Sequence, residues 1–223
     1  MRVLCVLLLV VSCNKQEEQE VRRNITDQEL VSYQEGAEAR RAKLTEQWPS
    51  WLKRPTGCPA DVMPVEFKEH EVSLTSCQGE KIYECLQKCE AFDLTACYSA
   101  AVVMESPERA VDAVAPALFA RACTHGSASA CTNWTAGLVI ADNPSSDPNT
   151  PSYSSCQKRS LEIACLRGLD PWGCTMFAHA LAVGGPTAAD KEKIKRAAVI
   201  ACRFGDEDPA CLRGREVVLR SSQ

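Results

Sequence analysis

The chain has 223 residues, enough for one compact domain or one array of repeats, and its hydrophobic content of 45% and charged content of 24% are ordinary for a globular protein. Its net charge of −4 argues against the basic surface that binds nucleic acid. The 14 cysteines are unusual, and they indicate disulfides in an oxidising compartment or metal sites in a reducing one.

The N-terminus favours the oxidising compartment. Residues 1–12 contain one basic residue and a short apolar run, too short for the roughly 20 residues of a membrane span, and they predict a removable secretory signal. Residues 10–13, VVSC, resemble a bacterial lipobox, which implies cleavage before Cys13 and acylation of its thiol. An ordinary signal-peptidase site at the same bond is the alternative. The residue after Cys13 is Asn14, and not the aspartate that is associated with retention of lipoproteins in the inner membrane. The resemblance therefore implies an anchor in the outer membrane.

The next segments connect this anchor to the main body. Residues 13–25 are polar and charged without an apolar face, and they predict a lipidated, disordered tether. Thr26 and Glu29 fit a capping box and predict a helix that continues to about Trp48. Prolines break the pattern after this point. Residues 26–78 are therefore predicted to form an N-terminal helix and an irregular segment.

Residues 79–223 are repetitive. Their cysteines recur in four pairs, whose first members lie 34, 42 and 37 residues apart: Cys89 with Cys97, Cys123 with Cys131, Cys165 with Cys174, and Cys202 with Cys211. The longest interval contains an inserted loop rich in proline, serine and asparagine. This period is typical of helical repeat arrays.

Each cysteine pair spans a predicted joint between two helices. In three pairs a glycine follows the first cysteine by three residues, where a left-handed residue would close the helix: Gly126, Gly168 and Gly205. Residues that favour helix N-caps come next: Asp93, Ser127, Asp170 and Asp208. The second cysteine then lies in the first turn of the following helix. We therefore expect four local disulfides, with buried free thiols as the alternative.

Four further cysteines have no partner assigned by this pattern: Cys58, Cys77, Cys85 and Cys156. Cys58 and Cys77 share the irregular segment and are one candidate pair. Cys85 occupies a core position one turn before Cys89 and is a candidate for a buried free thiol. The sequence does not rank the three possible pairings.

Two segments, LFARACTHGSASACTNWTAGLV and AVIACRFGDEDPACLRGREVV, resemble Sel-one-like repeats, which are related to tetratricopeptide repeats. The resemblance covers roughly residues 80–220 and is strongest to bacterial cysteine-rich members. It departs in the first copy, where Phe92 replaces the glycine, and in the inserted loop. It implies an all-α fold, an α/α superhelical solenoid of disulfide-stapled helix-turn-helix repeats with a concave groove that binds peptides or proteins.

Helical spacing selects candidate groove residues two or five positions after the second cysteines: Ser99, Asn133, His179, Arg213 and Glu216. We predict no enzyme activity, metal or cofactor. Ser50 and Lys53 form an S-x-x-K match, but its partner motifs S-D-N and K-T-G are absent from the sequence. No C-x-x-C occurs either, so neither a thioredoxin-like site nor a zinc ribbon is indicated.

The sequence therefore predicts a lipoprotein of the bacterial cell envelope, anchored in the outer membrane through Cys13. Its predicted role is a scaffold or adaptor that binds a protein or peptide partner and no nucleic acid. Because some cysteine-rich relatives are described as penicillin-binding proteins or weak β-lactamases, the resemblance implies that activity as the alternative.

Overall fold

The computed structural model describes residues 57–62, 66–68, 77–78, 81–105, 114–142 and 152–221. These residues contain one 3-10 helix, Pro59–Asp61, and eight α-helices, and no strand occurs among them. The predicted all-helical fold is confirmed for this part of the chain. The predicted signal, Cys13, the tether and the helix predicted to end near Trp48 lie outside it.

The α-helices follow one another with short connections at the cysteine pairs. In chain order they are α1 (Lys81–Glu90), α2 (Leu94–Met104), α3 (Val114–Thr124), α4 (Ala128–Asp142), α5 (Ser155–Leu166), α6 (Pro171–Ala182), α7 (Ala188–Ala201) and α8 (Pro209–Ser221).

The helices begin where the sequence supplies capping side chains. Asp93 accepts a hydrogen bond from the Ala96 backbone N–H at 2.9 Å, and Ser127 accepts one from that of Ala130 at 3.1 Å. At α5, Ser154 and Gln157 form a reciprocal capping box. Each cap satisfies a backbone N–H that has no partner within its own helix.

The left-handed residue that ends each first helix varies among the four turns. Gly126 and Gly205 have φ values of 105° and 119°, as predicted. Phe92 takes this conformation in the first turn, and Leu169 takes it in the third, with φ values of 69° and 52°. The prediction that Gly168 is the left-handed residue is wrong.

Gly168 is needed for close packing instead. A Cβ atom at this position would lie 2.3 Å from the Ala128 Cβ and 2.8 Å from the Ala164 carbonyl oxygen. The Asp170 backbone N–H donates to the same Ala164 carbonyl at 3.1 Å. The corresponding bonds in the first two turns, from Asp93 to Lys88 and from Ser127 to Ala122, join residues that are one position closer in sequence. The left-handed residue of this turn is Leu169, four positions after the first cysteine, whereas the fourth turn has the same cysteine separation and keeps it at Gly205.

The helices pack in a repeat-like manner. Each helix pair joined by a cysteine turn packs together, and the second helix of each pair also packs against the first helix of the next. In addition, α6 contacts both α4 and α8 directly. Ala100, Trp134 and Phe177, each three residues after the second cysteine of a turn, are all buried.

All four disulfides predicted from the cysteine spacing are present: Cys89–Cys97, Cys123–Cys131, Cys165–Cys174 and Cys202–Cys211. Their Cα atoms are 4.3 to 4.7 Å apart. Each bond fixes the joint between two helices, so the turns become the most cross-linked part of the described chain.

The other four cysteines pair as Cys58–Cys156 and Cys77–Cys85. The candidate pair of Cys58 with Cys77 is therefore wrong, and Cys85 is not a free thiol. Cys77 precedes α1 and lies within reach of Cys85 in that helix. Cys58 lies beside α5, because the 3-10 helix that follows it packs against α3 and α5.

None of the described helices combines the length and apolar character that crossing a membrane requires.

Candidate functional site: the groove residues and the turn face

The predicted groove residues do not share one accessible surface. Ser99 is fully buried in α2, and its hydroxyl has no hydrogen-bond partner among the residues that the structure describes. The prediction that Ser99 contacts a ligand in a groove is wrong. Its neighbours in α2 are almost all small or apolar, so the helix is buried on most of its circumference.

Asn133 and His179 are half-buried and make internal contacts. The Asn133 side-chain amide donates a hydrogen bond to the Tyr98 hydroxyl at 2.8 Å, which connects α4 to α2. His179 Nδ1 lies 3.0 Å from the Tyr153 hydroxyl, and burial raises the pKa of Tyr153 to about 12. Tyr153 is therefore a neutral hydrogen-bonding group near pH 7, and both pairs stabilise contacts inside the fold.

Arg213 and Glu216 are the exposed members of the set. They lie on α8 and form an ion pair with each other. This pair is separate from Ser99 and from the Asn133 and His179 contacts, so the five residues form four local environments and no common site.

A polar cluster at Asp170 ties α4 to α6. Asp170 caps α6 through the Gly173 backbone N–H at 2.7 Å, and its carboxylate also accepts hydrogen bonds from Ser129 at 2.9 Å and Thr132 at 2.7 Å. In α6, the Thr175 hydroxyl donates to the Ala210 carbonyl of α8 at 2.8 Å. Thr132 and Thr175 each directly follow the second cysteine of a turn. Their hydroxyls thus connect α4 to the cap of α6, and α6 to α8.

Exposed apolar side chains collect at three of the four cysteine turns. Phe92, Leu169, Trp172 and Phe204 are 44% to 66% exposed, although large apolar side chains are usually buried. Arginines accompany them: Arg121, Arg167 and Arg203. We call this surface the turn face and define it by these seven residues together with Phe67 and His125.

The first two turns are joined through Phe92. The Arg121 guanidinium lies 4.6 Å from the centroid of the Phe92 ring, and its Nε donates to the Cys89 carbonyl at 3.1 Å. The His125 ring meets Phe92 edge-on at 4.7 Å. Partial burial, followed by the charges of Arg121 and Lys68, lowers the pKa of His125 below its usual value. The histidine is therefore neutral near pH 7, as a ring contact beside two cations requires.

Residues 67–68 connect the second turn to the third. The Lys68 backbone N–H donates to the Gly126 carbonyl of the second turn at 3.0 Å, and Arg167 of the third turn lies 5.6 Å from the centroid of the Phe67 ring. Arg203 donates to the Leu169 carbonyl at 2.9 Å and lies 4.5 Å from the centroid of the Phe204 ring. The turn face is therefore a connected surface of aromatic and cationic groups.

Sequence reasoning missed the turn face. The usable signal was the recurrence of aromatic and basic residues beside the cysteines and turn glycines, as in ARACTHG and ACRFG.

The described residues give little support for a metal site or a catalytic site. Cys202, Asp206 and Cys211 bring three potential ligand atoms within 4.8 Å of one another. The two sulfurs are joined in a disulfide, so in the oxidised protein they are not the thiolates that bind metals. Ser50 and Lys53 lie outside the described residues, and the β-lactamase alternative therefore rests on the family resemblance alone.

No family model, characterised protein or solved structure matches this chain.

Proposed function

We propose that this protein is a lipoprotein of the bacterial cell envelope whose disulfide-stapled α-solenoid of Sel-one-like repeats serves as a protein-interaction scaffold. The turn face is the proposed recognition surface. The observation that carries this proposal is the row of exposed apolar side chains at the cysteine turns, interleaved with arginines.

The composition of the turn face suits protein recognition. Aromatic residues and arginine are enriched at protein interfaces, and they provide many of the side chains that dominate binding energy. Exposed apolar side chains that recur on one connected surface are a common sign of an interaction site. The arginines and Lys68 favour a partner that presents acidic side chains beside apolar ones.

The disulfides support the same interpretation through rigidity. Three of the six bonds close the turns that carry Phe92, Leu169, Trp172 and Phe204. A surface that is already ordered loses little conformational entropy on binding. The proposal thus assigns the cysteines a structural role and the side chains between them the recognition role.

The envelope location is supported by two independent features, the disulfide density and the signal with Cys13. Six disulfides among the described residues are typical of an oxidising compartment. We expect Cys13→Ala to block lipid attachment and leave the unprocessed chain, as measured by mass spectrometry and metabolic labelling with a fatty acid. Cys5→Ala is the control, since this cysteine lies within the predicted signal. Normal acylation of the Cys13→Ala chain would contradict the lipid anchor.

The recognition role can be tested by photo-crosslinking in intact cells. A photo-reactive amino acid at position 172 or 204 is expected to trap one protein partner, which mass spectrometry identifies. Position 191 is the control, because Lys191 is exposed on α7 but lies outside the turn face. With the purified partner, Trp172→Ala and Phe204→Ala should each weaken binding by about tenfold, whereas Lys191→Ala should not change it.

Two outcomes would overturn this assignment. The first is crosslinking that is as efficient at position 191 as at positions 172 and 204. The second is unchanged affinity for the isolated partner after both alanine substitutions.

A further inference from the structure

The Cys58–Cys156 disulfide differs from the other bonds in its exposure to solvent. Both of its cysteines are partly exposed, whereas every other disulfide in the described part of the chain includes at least one fully buried cysteine. A thiolate breaks a disulfide by direct attack on one of the two sulfur atoms, so access to the bond limits the rate. The Cys58–Cys156 bond is therefore the disulfide that a reductant reaches most easily.

The position of Cys156 favours this exchange. Cys156 is the second residue of α5, and the N–H groups at a helix N-terminus stabilise a thiolate. When an incoming thiolate attacks the Cys58 sulfur, the Cys156 sulfur leaves as a thiolate at this helix end. Cys58 is then held in a mixed disulfide, which the second thiol of a dithiol resolves. The net reaction converts the protein disulfide and one dithiol into two protein thiols and one oxidised dithiol.

The segment anchored by Cys58 has modest further contacts with α5 among the described residues. In the 3-10 helix that follows Cys58, Pro59 and Ala60 are buried. Asp61 pairs with Arg159 at 2.8 Å, but both side chains are more than half exposed, so this ion pair contributes little. Opening the disulfide therefore removes the strongest link between this segment and α5.

The same segment supplies the part of the turn face that does not come from a turn. The Phe67 ring lies beside the Arg167 guanidinium, and its Cδ1 is 3.4 Å from the place that a Cβ atom on Gly168 would occupy. The Lys68 backbone N–H donates to the Gly126 carbonyl. These contacts hold Phe67 on the turn face and Lys68 beside it, so the surface depends on where this segment is anchored.

We propose that Cys58–Cys156 is a thiol–disulfide exchange site, at which a dithiol opens this bond selectively and residues 66–68 then leave the turn face. The disulfides of the turns stay oxidised because they are less accessible, so the helices keep their packing. The Cys77–Cys85 bond keeps the released segment attached to α1, and reoxidation can therefore restore it. Because the turn face is the recognition surface of the proposed function, on which this step rests, partner binding then depends on the redox state.

Graded reduction of the full-length protein in detergent micelles tests the selectivity. Dithiothreitol serves as the dithiol probe, and the freed thiols are alkylated and located by mass spectrometry. We expect Cys58 and Cys156 to be alkylated about tenfold faster than the cysteines of the turns. The sharpest comparison is Cys202–Cys211, because Cys202 is partly exposed whereas Cys211 is buried. Equal or earlier reduction of that pair overturns the proposal.

Hydrogen exchange measured by mass spectrometry tests the release. In the oxidised protein a hydrogen bond protects the Lys68 amide, and we expect its exchange to be about tenfold faster in the Cys58→Ser, Cys156→Ser double variant. The Cys202→Ser, Cys211→Ser double variant is the matched control and should leave Lys68 protected. Unchanged protection of Lys68 in the first variant overturns the proposal. Loss of protection throughout the helices overturns it as well, since the bond would then hold the whole fold.

Partner binding distinguishes a failure of this proposal from a failure of the proposed function. The two measurements above need no partner, so they remain decisive if none is found. With the partner purified, reduction should weaken binding by about tenfold, and so should Phe67→Ala, whose affinity should respond much less to the reductant. Affinity that falls in Trp172→Ala but is unchanged by reduction supports the recognition surface and overturns its redox control.

Discussion

Replacing both Cys58 and Cys156 by serine is expected to lower the free energy of unfolding by about 4.7 kcal/mol. The two residues are 98 positions apart, and all of the described helices from α1 to α4 lie between them. Without the bond, the unfolded chain regains the conformational freedom of this long loop. Urea unfolding of the purified, oxidised protein measures the change through the transition midpoint and slope.

The matched control is the Cys202→Ser and Cys211→Ser double variant. This bond closes a separation of only nine residues, so its removal should cost about 2.6 kcal/mol by the same argument. Both variants exchange one disulfide for two hydroxyls, and the comparison therefore isolates loop length. Equal losses in the two variants would show that loop entropy does not control their stability.

Gly168→Ala is expected to lower the free energy of unfolding by about 3 kcal/mol, although it adds only one methyl group. The new Cβ would lie 2.3 Å from the Ala128 Cβ and 2.8 Å from the Ala164 carbonyl. Both neighbours belong to helices, so the start of α4 or the end of α5 must move. Thermal and urea unfolding of the variant measure the loss.

Gly137→Ala provides the opposite case. Gly137 lies inside α4, and no atom lies within 4 Å of the Cβ that alanine would add. Alanine is the better helix former, so this change should stabilise the protein by about 0.5–1 kcal/mol.

A neutral Gly168→Ala variant would contradict the tight approach of α4 to α5. Adding Ala128→Gly to Gly168→Ala should recover part of the loss, since it removes the closer of the two contacts.

The features that the sequence predicts well are those with local chemistry. Helix starts at Asp93, Ser127 and Asp170 follow from capping side chains, which act within three residues. The four turn disulfides follow from cysteines eight or nine residues apart at a helix joint. Each of these interactions can be inferred from a window of about ten residues.

Long-range features could not be predicted in this way. The Cys58–Cys156 bond depends on how the 3-10 helix packs against α5, which no local pattern encodes. The burial of Ser99 was missed because α2 is apolar on nearly all sides, and its periodicity does not distinguish one face. The turn face appears only when four distant turns come together, as in the contacts of Arg121 with Phe92 and of Arg203 with Leu169.

The nesting of the disulfides has a consequence for how the protein is made. If the chain is exported as proposed, it emerges from its N-terminus, and Cys77 follows Cys58 long before Cys156 becomes accessible. An oxidase that joins cysteines in their order of appearance would link Cys58 to Cys77 and leave Cys85 without its native partner. The Cys58–Cys156 bond encloses three completed bonds, so it forms only if Cys58 is kept reduced or is later released. Efficient maturation therefore calls for a disulfide isomerase in addition to an oxidase, whereas the hairpins from α3 onward can close as they emerge.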